Sequence, residues 1–242
     1  MTNTQYPMPN KTINILSFTL TDGIGHLEMC KPPGNQMTAE FFSEFNEMVD
    51  ELRGLKGLKA IVISSKGRHF SSGADLEELL EQAVITGDLN HPEMNESWNI
   101  ISERNYRSFL FFEELEIPVI AAIRGVCIGS AFELALFSHF RFCGEDAVFG
   151  LPETTFNLMP GLGGVRKIAA LSGQAKAIEL VLKGNTFGAE EALQYHLVDR
   201  IVPRRKVVEF SIAFARKVMK NYKKQKTPLY LRQIPLDEPF FN

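Results

Sequence analysis

The stretch "IPVIAAIRGVCIGSAFELAL", Ile117 to Leu136, decides how this chain is read. Pro118 opens the apolar run "VIAAI", rich in β-branched residues, and Gly125 closes it, so Val119–Ile123 reads as a buried strand. Beyond Gly129 the residues take up helical spacing, predicting a helix from Gly129 to Ser138. A single glutamate, Glu133, stands inside this helix among apolar neighbours. Burying a carboxylate is costly. Either a cation such as Arg124 neutralises Glu133, or the charge serves chemistry. A second glutamate, Glu153 in "FGLPETT", either caps the turn after Pro152 or belongs with the first.

Outward from this stretch, strands alternate with helices. "INILSFTL" and "GHLEMC" form a predicted hairpin across "TDGIG". In "TAEFFSEFNEMVDELRG", Phe41, Phe45, Met48 and Leu52 recur at helical spacing, with Thr38 placed to cap the start and Gly54 the end. "LKAIVISS" is a short buried strand, followed by a loop, "KGRHFSSGAD", and a helix over about 76–83. "ITGDLNHPEMN", residues 85–95, reads as a surface loop before a long helix over about 96–115. "FRFCGEDAVFG" holds two short strands, and 165–171 and 175–182 are helical. "TFGAEEALQYHLVDRIVP" gives a short helix and a strand that Pro203 ends. The class is α/β.

With 242 residues, 45% of them hydrophobic, the chain can build one large core. A formal net charge of -3 leaves nucleic acid without an evident basic face to hold. The basic run "RKVMKNYKKQK", Arg216–Lys226, is a solvated helix end or a contact for an anion. Cys30, Cys127 and Cys143 form no CxxC pair and fit a reducing compartment. Neither a signal peptide in the first dozen residues nor a membrane-length apolar run is visible, so a cytoplasmic protein off the membrane is expected. The five histidines lack ligand spacing and HExxH is missing, so no metal is expected; His69 and His139 read as packing or surface residues. "GLGGVRK" lacks the spacing of a phosphate loop, and GxGxxG and GxSxG do not occur.

Two loop-to-helix junctions carry more. Glycine precedes Ala74 in "FSSGADLEEL", and Gly129 precedes Ser130 in "GVCIGSAFEL". Both are tight turns that need glycine, or they present unpaired backbone N–H groups to a negative charge. Two such donors converging on one oxygen make an oxyanion hole.

In order, "GRHFSSGADL", "IPVIAAIRGVCIGSAFELAL", "AVFGLPETTFNLMPGLGGVRKI" and "FGAEEALQYHLVDRIV" resemble the motifs of the crotonase (enoyl-CoA hydratase/isomerase) superfamily. The resemblance runs from about Ile13 to Pro203. It implies a spiral of ββα units over residues 1–190, with a shorter C-terminal region over 191–242. It also implies an acyl-CoA partner, no cofactor beyond the coenzyme A carried by the substrate, and a homotrimer or dimer of trimers. By position, Ala74 and Ser130 would supply the oxyanion N–H groups. Glu133 and Glu153 would be the two catalytic glutamates of the hydratases. Substrate would run along Ser72, Gly73, Asp75 and Leu76, past Gly129 and Phe132, and by Pro160 and Gly161. The implied activity is reversible hydration of an enoyl-CoA. Isomerisation or hydrolysis of a bulky acyl-CoA, or a non-catalytic scaffold, stand as alternatives.

Three departures bear on this. "GSAF" replaces the usual glycine run and Arg124 stands where relatives often have Asn, both reshaping the acyl pocket. The loop over 84–94 is longer than in common hydratases. After Pro203, one helix and a proline-containing tail stand where hydratases carry further helices that close the site and pack trimers. The aromatic "YRSFLFF", Tyr106–Phe112, lines an acyl pocket or packs the core.

Overall fold

The computed structural model describes residues 10–12, 14–75, 77, 78 and 92–221. Leu76, the stretch 79–91 and the tail from 222 lie outside the described residues, and with them the expected helix over 76–83 (beyond helical Glu77 and Glu78), most of the 85–95 loop and the proline-containing tail.

A seven-stranded sheet forms the frame of the described residues. Three strands, β1 (Asn10–Thr12), β2 (Leu16–Thr21) and β3 (Ile24–Met29), are paired antiparallel. Parallel pairing then runs from β3 to β4 (Ala60–Ser65), β5 (Val119–Ile123), β7 (Phe140–Gly144) and β10 (Arg200–Val202). The second strand of each later unit enters a smaller sheet, in which β6 (Val126–Ile128) pairs parallel with β8 (Val148–Gly150), and β8 antiparallel with β9 (Phe187–Gly188). So β5, β6 and the helix α3 (Ser130–Leu136) form one unit, and β7, β8 and the 3₁₀ turn Pro152–Phe156 begin the next in the same order. These are the successive ββα units that the motif order implies.

Burial explains the apolar runs. Val119, Ala121 and Ile123 of β5 face one core, with Phe41, Phe45, Met48 and Leu52 of α1 (Ala39–Arg53) in the same cluster. Ile120 and Ala122 face a second core, under Val207, Phe214 and Ala215 of the terminal helix α7 (Val207–Asn221). A strand covered on both faces reads as continuous rather than alternating hydrophobicity. Phe142 meets Phe210 and Phe214 edge to face at 5.1 and 4.9 Å, fixing α7 to the sheet.

Among the described residues, the other named α-helices are α2 (Pro92–Glu114), α4 (Gly164–Ser172), α5 (Gln174–Lys183) and α6 (Ala189–Gln194). Thr38 caps α1 as expected, its hydroxyl accepting from the Phe41 N–H at 3.3 Å, and Gly54 ends it. Two boundaries need correction. The long helix already runs at Pro92, spanning Pro92–Glu114 among the described residues rather than beginning near 96. Proline is tolerated in a helix's first turn because it lacks an N–H that would have no partner there. The helix after Gly129 spans Ser130–Leu136, with Gly129 as its cap at φ 57°.

Candidate active site

Short main-chain bridges lay the two junctions side by side. The Ser71 N–H donates to Val126 O at 3.0 Å and Ile128 N–H to Ser71 O at 3.4 Å, a parallel bridge between Ser71 and Cys127. Ala74 and Ser130 each lie three residues beyond their bridged partner. Between them the chains nearly touch. A β-carbon on Gly73 would sit 2.6 Å from Ile128 O, and Gly73 has φ +81°, so only glycine fits.

In each junction the glycine's polar groups are used locally. The Gly73 N–H donates to Ser71 Oγ at 3.1 Å, and Gly73 O accepts from Met37 N–H at 2.9 Å. Met37 bridges Ala74 in parallel, an arrangement that bonds the residues flanking Ala74 and directs Ala74's own N–H to the other side. Gly129 N–H donates to Gly150 O at 2.9 Å, and Gly129 O accepts from Glu133 N–H at 3.0 Å. Ser130, first in α3, has no intrahelical acceptor for its N–H.

Glu133 projects from α3 and is 1% exposed. Arg124 does not neutralise it; that guanidinium donates to Ser65 O instead. Glu133 Oε1 accepts from Leu162 N–H at 2.9 Å and from Gly164 N–H at 2.8 Å. Burial pushes its carboxyl up to about 7, with the Glu153 charge adding to the rise and the two N–H groups opposing it. A proton that leaves near neutrality suits general acid–base chemistry.

Glu153 stands on the 3₁₀ turn Pro152–Phe156. Thr154 Oγ1 ties this turn to Val181 O of α5 at 2.7 Å. Burial raises the Glu153 carboxyl above the usual carboxylate range, and its own backbone N–H partly opposes this. Its Oε1 lies 3.1 Å from where a β-carbon of Gly129 would stand. Its Oε2 is buried without a hydrogen-bond partner among the described residues. Such an oxygen is costly to maintain unless something else occupies that space.

The other expected contact residues divide. Ser72 and Gly73 line the first junction, Ser72 N–H donating to Gly34 O at 2.9 Å. Asp75 caps the following helix, its Oδ1 accepting from Glu77 and Glu78 N–H at 2.9 and 3.3 Å. Leu76 is outside the described residues. Pro160 and exposed Gly161 lead into the turn that grips Glu133. Phe132 is not brought to the junctions: its ring is fully buried against Phe149 and Phe187 at 5.4 and 5.9 Å. His69 and His139 are structural, each Nδ1 accepting a backbone N–H, from Val126 at 3.1 Å and Val119 at 3.0 Å. Phe109 and Phe112 are fully buried in the core, settling most of the aromatic run as packing. Leu162 and Gly164 are the site residues that sequence reasoning misses. The glycine-rich "PGLGG" is the one sign of them. Among the described residues no group of three or more His, Cys, Asp or Glu is placed to hold a metal, and no helix is long and apolar enough to cross a membrane.

A family model described as enoyl-CoA hydratase/isomerase matches residues 19–229. The chain belongs to that family. It is 32% identical over 186 residues to a "Probable enoyl-CoA hydratase" of Bacillus subtilis (strain 168), covering 77% of this chain and 68% of that one. It is 35% identical over 207 residues to the fatty acid oxidation complex subunit alpha of Shewanella loihica (strain ATCC BAA-1088 / PV-4), covering 82% of this chain but 28% of that longer protein. Among solved structures, a Thermobifida fusca YX protein named for enoyl-CoA hydratase and crystallised with CoA superposes with a TM-score of 0.75 at 27% identity, over 89% of this chain and 80% of that one. The fold is therefore that of the crotonase superfamily, and the Glu133–Glu153 pair and the two junctions lie within the region the family model matches.

Proposed function

We propose that this enoyl-CoA hydratase/isomerase family member is an acyl-CoA lyase that adds water reversibly across the double bond of an enoyl-CoA thioester. One observation carries the reading: buried Glu133 and half-buried Glu153, both with raised pKa, flank the junctions at Gly73 and Gly129.

The Ala74 and Ser130 N–H groups receive the thioester oxygen. As water attacks, charge moves from the β-carbon through the conjugated system onto that oxygen, and each preorganised donor lowers the barrier by about 3–4 kcal/mol. Glu133 takes a proton from the attacking water. Its two N–H contacts leave the other carboxylate oxygen available for that water. Glu153 delivers the α-carbon proton, and its unpartnered Oε2 is the atom available to do so. The reverse reaction exchanges these roles. The coenzyme A arrives with the substrate, so no separate cofactor is needed.

We also infer a homotrimer or a dimer of trimers. Phe156, Met159, Ile178 and Leu182 are exposed large apolar side chains, and a second copy would cover them.

Incubation with a panel of enoyl-CoAs, read by product mass, tests the reaction. Gain of one water supports hydration. Equal mass with a moved double bond means isomerisation, release of free CoA means hydrolysis, and no change across the panel leaves only a scaffold.

A further inference from the structure

Gly163 lies between the two residues whose N–H groups hold Glu133, and it is gripped from outside. A β-carbon there would lie 2.8 Å from Tyr106 Cε2 and 3.0 Å from Phe137 Cζ. The two rings meet edge to face, 5.9 Å between centroids at 79°. Phe137 is buried, packed on Phe109 at 6.1 Å. The Lys167 ammonium lies 5.5 Å from the Phe137 ring centroid and pairs with Glu113 at 2.8 Å. Phe137 is thus a fixed wall. Tyr106, half-buried on α2, completes it, and no step of the hydration uses its hydroxyl, which lies 3.5 Å from exposed Arg166 Nη1.

We propose that Tyr106 is a positioning residue for Glu133: its ring, pressed on Gly163, keeps the 162–164 turn where the Leu162 and Gly164 N–H groups both reach Glu133 Oε1. The inference rests on the reading of Glu133 as the base of the reaction. Hydrogen bonds weaken steeply with distance and angle, and dispersion contacts are lost across a gap of an ångström or less. Removing the ring lets the turn relax outward into the vacated space. Both donors then weaken together, and the carboxylate loses the groups that oppose its burial. The proton is held more tightly, so the base is lost at pH values where it should work. The contact is made by ring carbons, so phenylalanine should replace tyrosine and a small or non-planar side chain should not.

The test titrates the Glu133 carboxyl directly, by NMR of protein labelled with ¹³C at glutamate side-chain carboxyls, the signal being assigned by its loss in Glu133→Gln. Wild type should titrate near 7, and Tyr106→Phe should match it. Tyr106→Ala, and the milder Tyr106→Leu that a half-buried site accepts without unfolding, should titrate about one unit higher. The acid limb of kcat/KM should move by the same amount, about tenfold in rate below the limb, with KM little changed. An unmoved titration in Tyr106→Ala and Tyr106→Leu overturns the proposal. So does a Tyr106→Phe shift as large as that of Tyr106→Ala, which would give the role to the hydroxyl. The titration needs no turnover, so a wild type that hydrates nothing would sink the functional reading while leaving this measurement to judge the positioning role.

Discussion

Gly164 lies so close to Glu133 that a β-carbon on it would stand 2.6 Å from Glu133 Cγ and 3.0 Å from Oε1. The glycine's backbone therefore occupies the space beside the carboxylate while its N–H holds it at 2.8 Å. Gly164→Ala should push the two apart, destabilising the fold by about 1–3 kcal/mol and lowering turnover by about 10²-fold through misplacement of the carboxylate. Gly161→Ala is the comparison, since a β-carbon there meets nothing nearer than Met159 O at 4.0 Å. It should leave the denaturation midpoint almost unchanged. Equal midpoints for the two variants would mean that Glu133 has room to move.

The raised carboxyl of Glu133 makes a stability prediction with a definite sign. Its pKa rises from 4.5 to about 7 on folding, so between those values the native state binds more protons than the unfolded chain. Stability contributed by this group is fully present below about 4.5, falls as pH rises through 7, and then levels off. The loss is of the order of 3 kcal/mol. Glu133→Gln copies the protonated form and still accepts both N–H groups. Thermal unfolding at a series of pH values should show the Gln variant gaining on wild type from pH 5 to 8. A difference that stays flat, or favours wild type at pH 8, contradicts a buried carboxylate at this position.

Phe132 belongs to the core. Its fully buried ring touches Phe149 and Phe187, so Phe132→Ala should cost about 3–5 kcal/mol in a denaturant titration. A variant that keeps its midpoint but loses substrate affinity would instead place this ring at the acyl chain.

Coenzyme A alone should raise the melting temperature, because a ligand that binds the folded chain only stabilises it by about 2.7 kcal/mol at a hundredfold excess over Kd. A flat response to millimolar CoA, with ADP and pantetheine also flat, would remove the ligand from the reading.

Much of the fold and site is legible in the chain itself, for physical reasons that differ by residue. The Asp22–Gly23 turn, the Thr38 cap and Gly54 stop all act through local chemistry, so their residue types announce them. Glu133 stands out because a carboxylate among apolar residues demands a reason, whereas Glu153, followed by Thr154 and Thr155, gains its role only from the motif resemblance. By contrast β6 and β9 have three and two residues, too few for any periodicity to show. The Leu162 and Gly164 donors are backbone N–H groups, which every residue but proline carries and no side chain advertises. Phe132 reads as a substrate contact because it is close to Ser130 in sequence. Helix geometry turns it instead toward Phe149 and Phe187.

The most direct measurement is the rate of enoyl-CoA hydration by Glu133→Gln, Glu153→Gln and the double variant. Glutamine keeps the shape and leaves the Ala74 and Ser130 N–H groups in place, so acyl-CoA should still bind. If the two carboxylates share one reaction, each single change should lower turnover by about 10²-fold or more. Groups that act as a unit are not additive, so the double variant should be little slower than the slower single. Either single variant hydrating at close to the wild-type rate would contradict the two-glutamate mechanism.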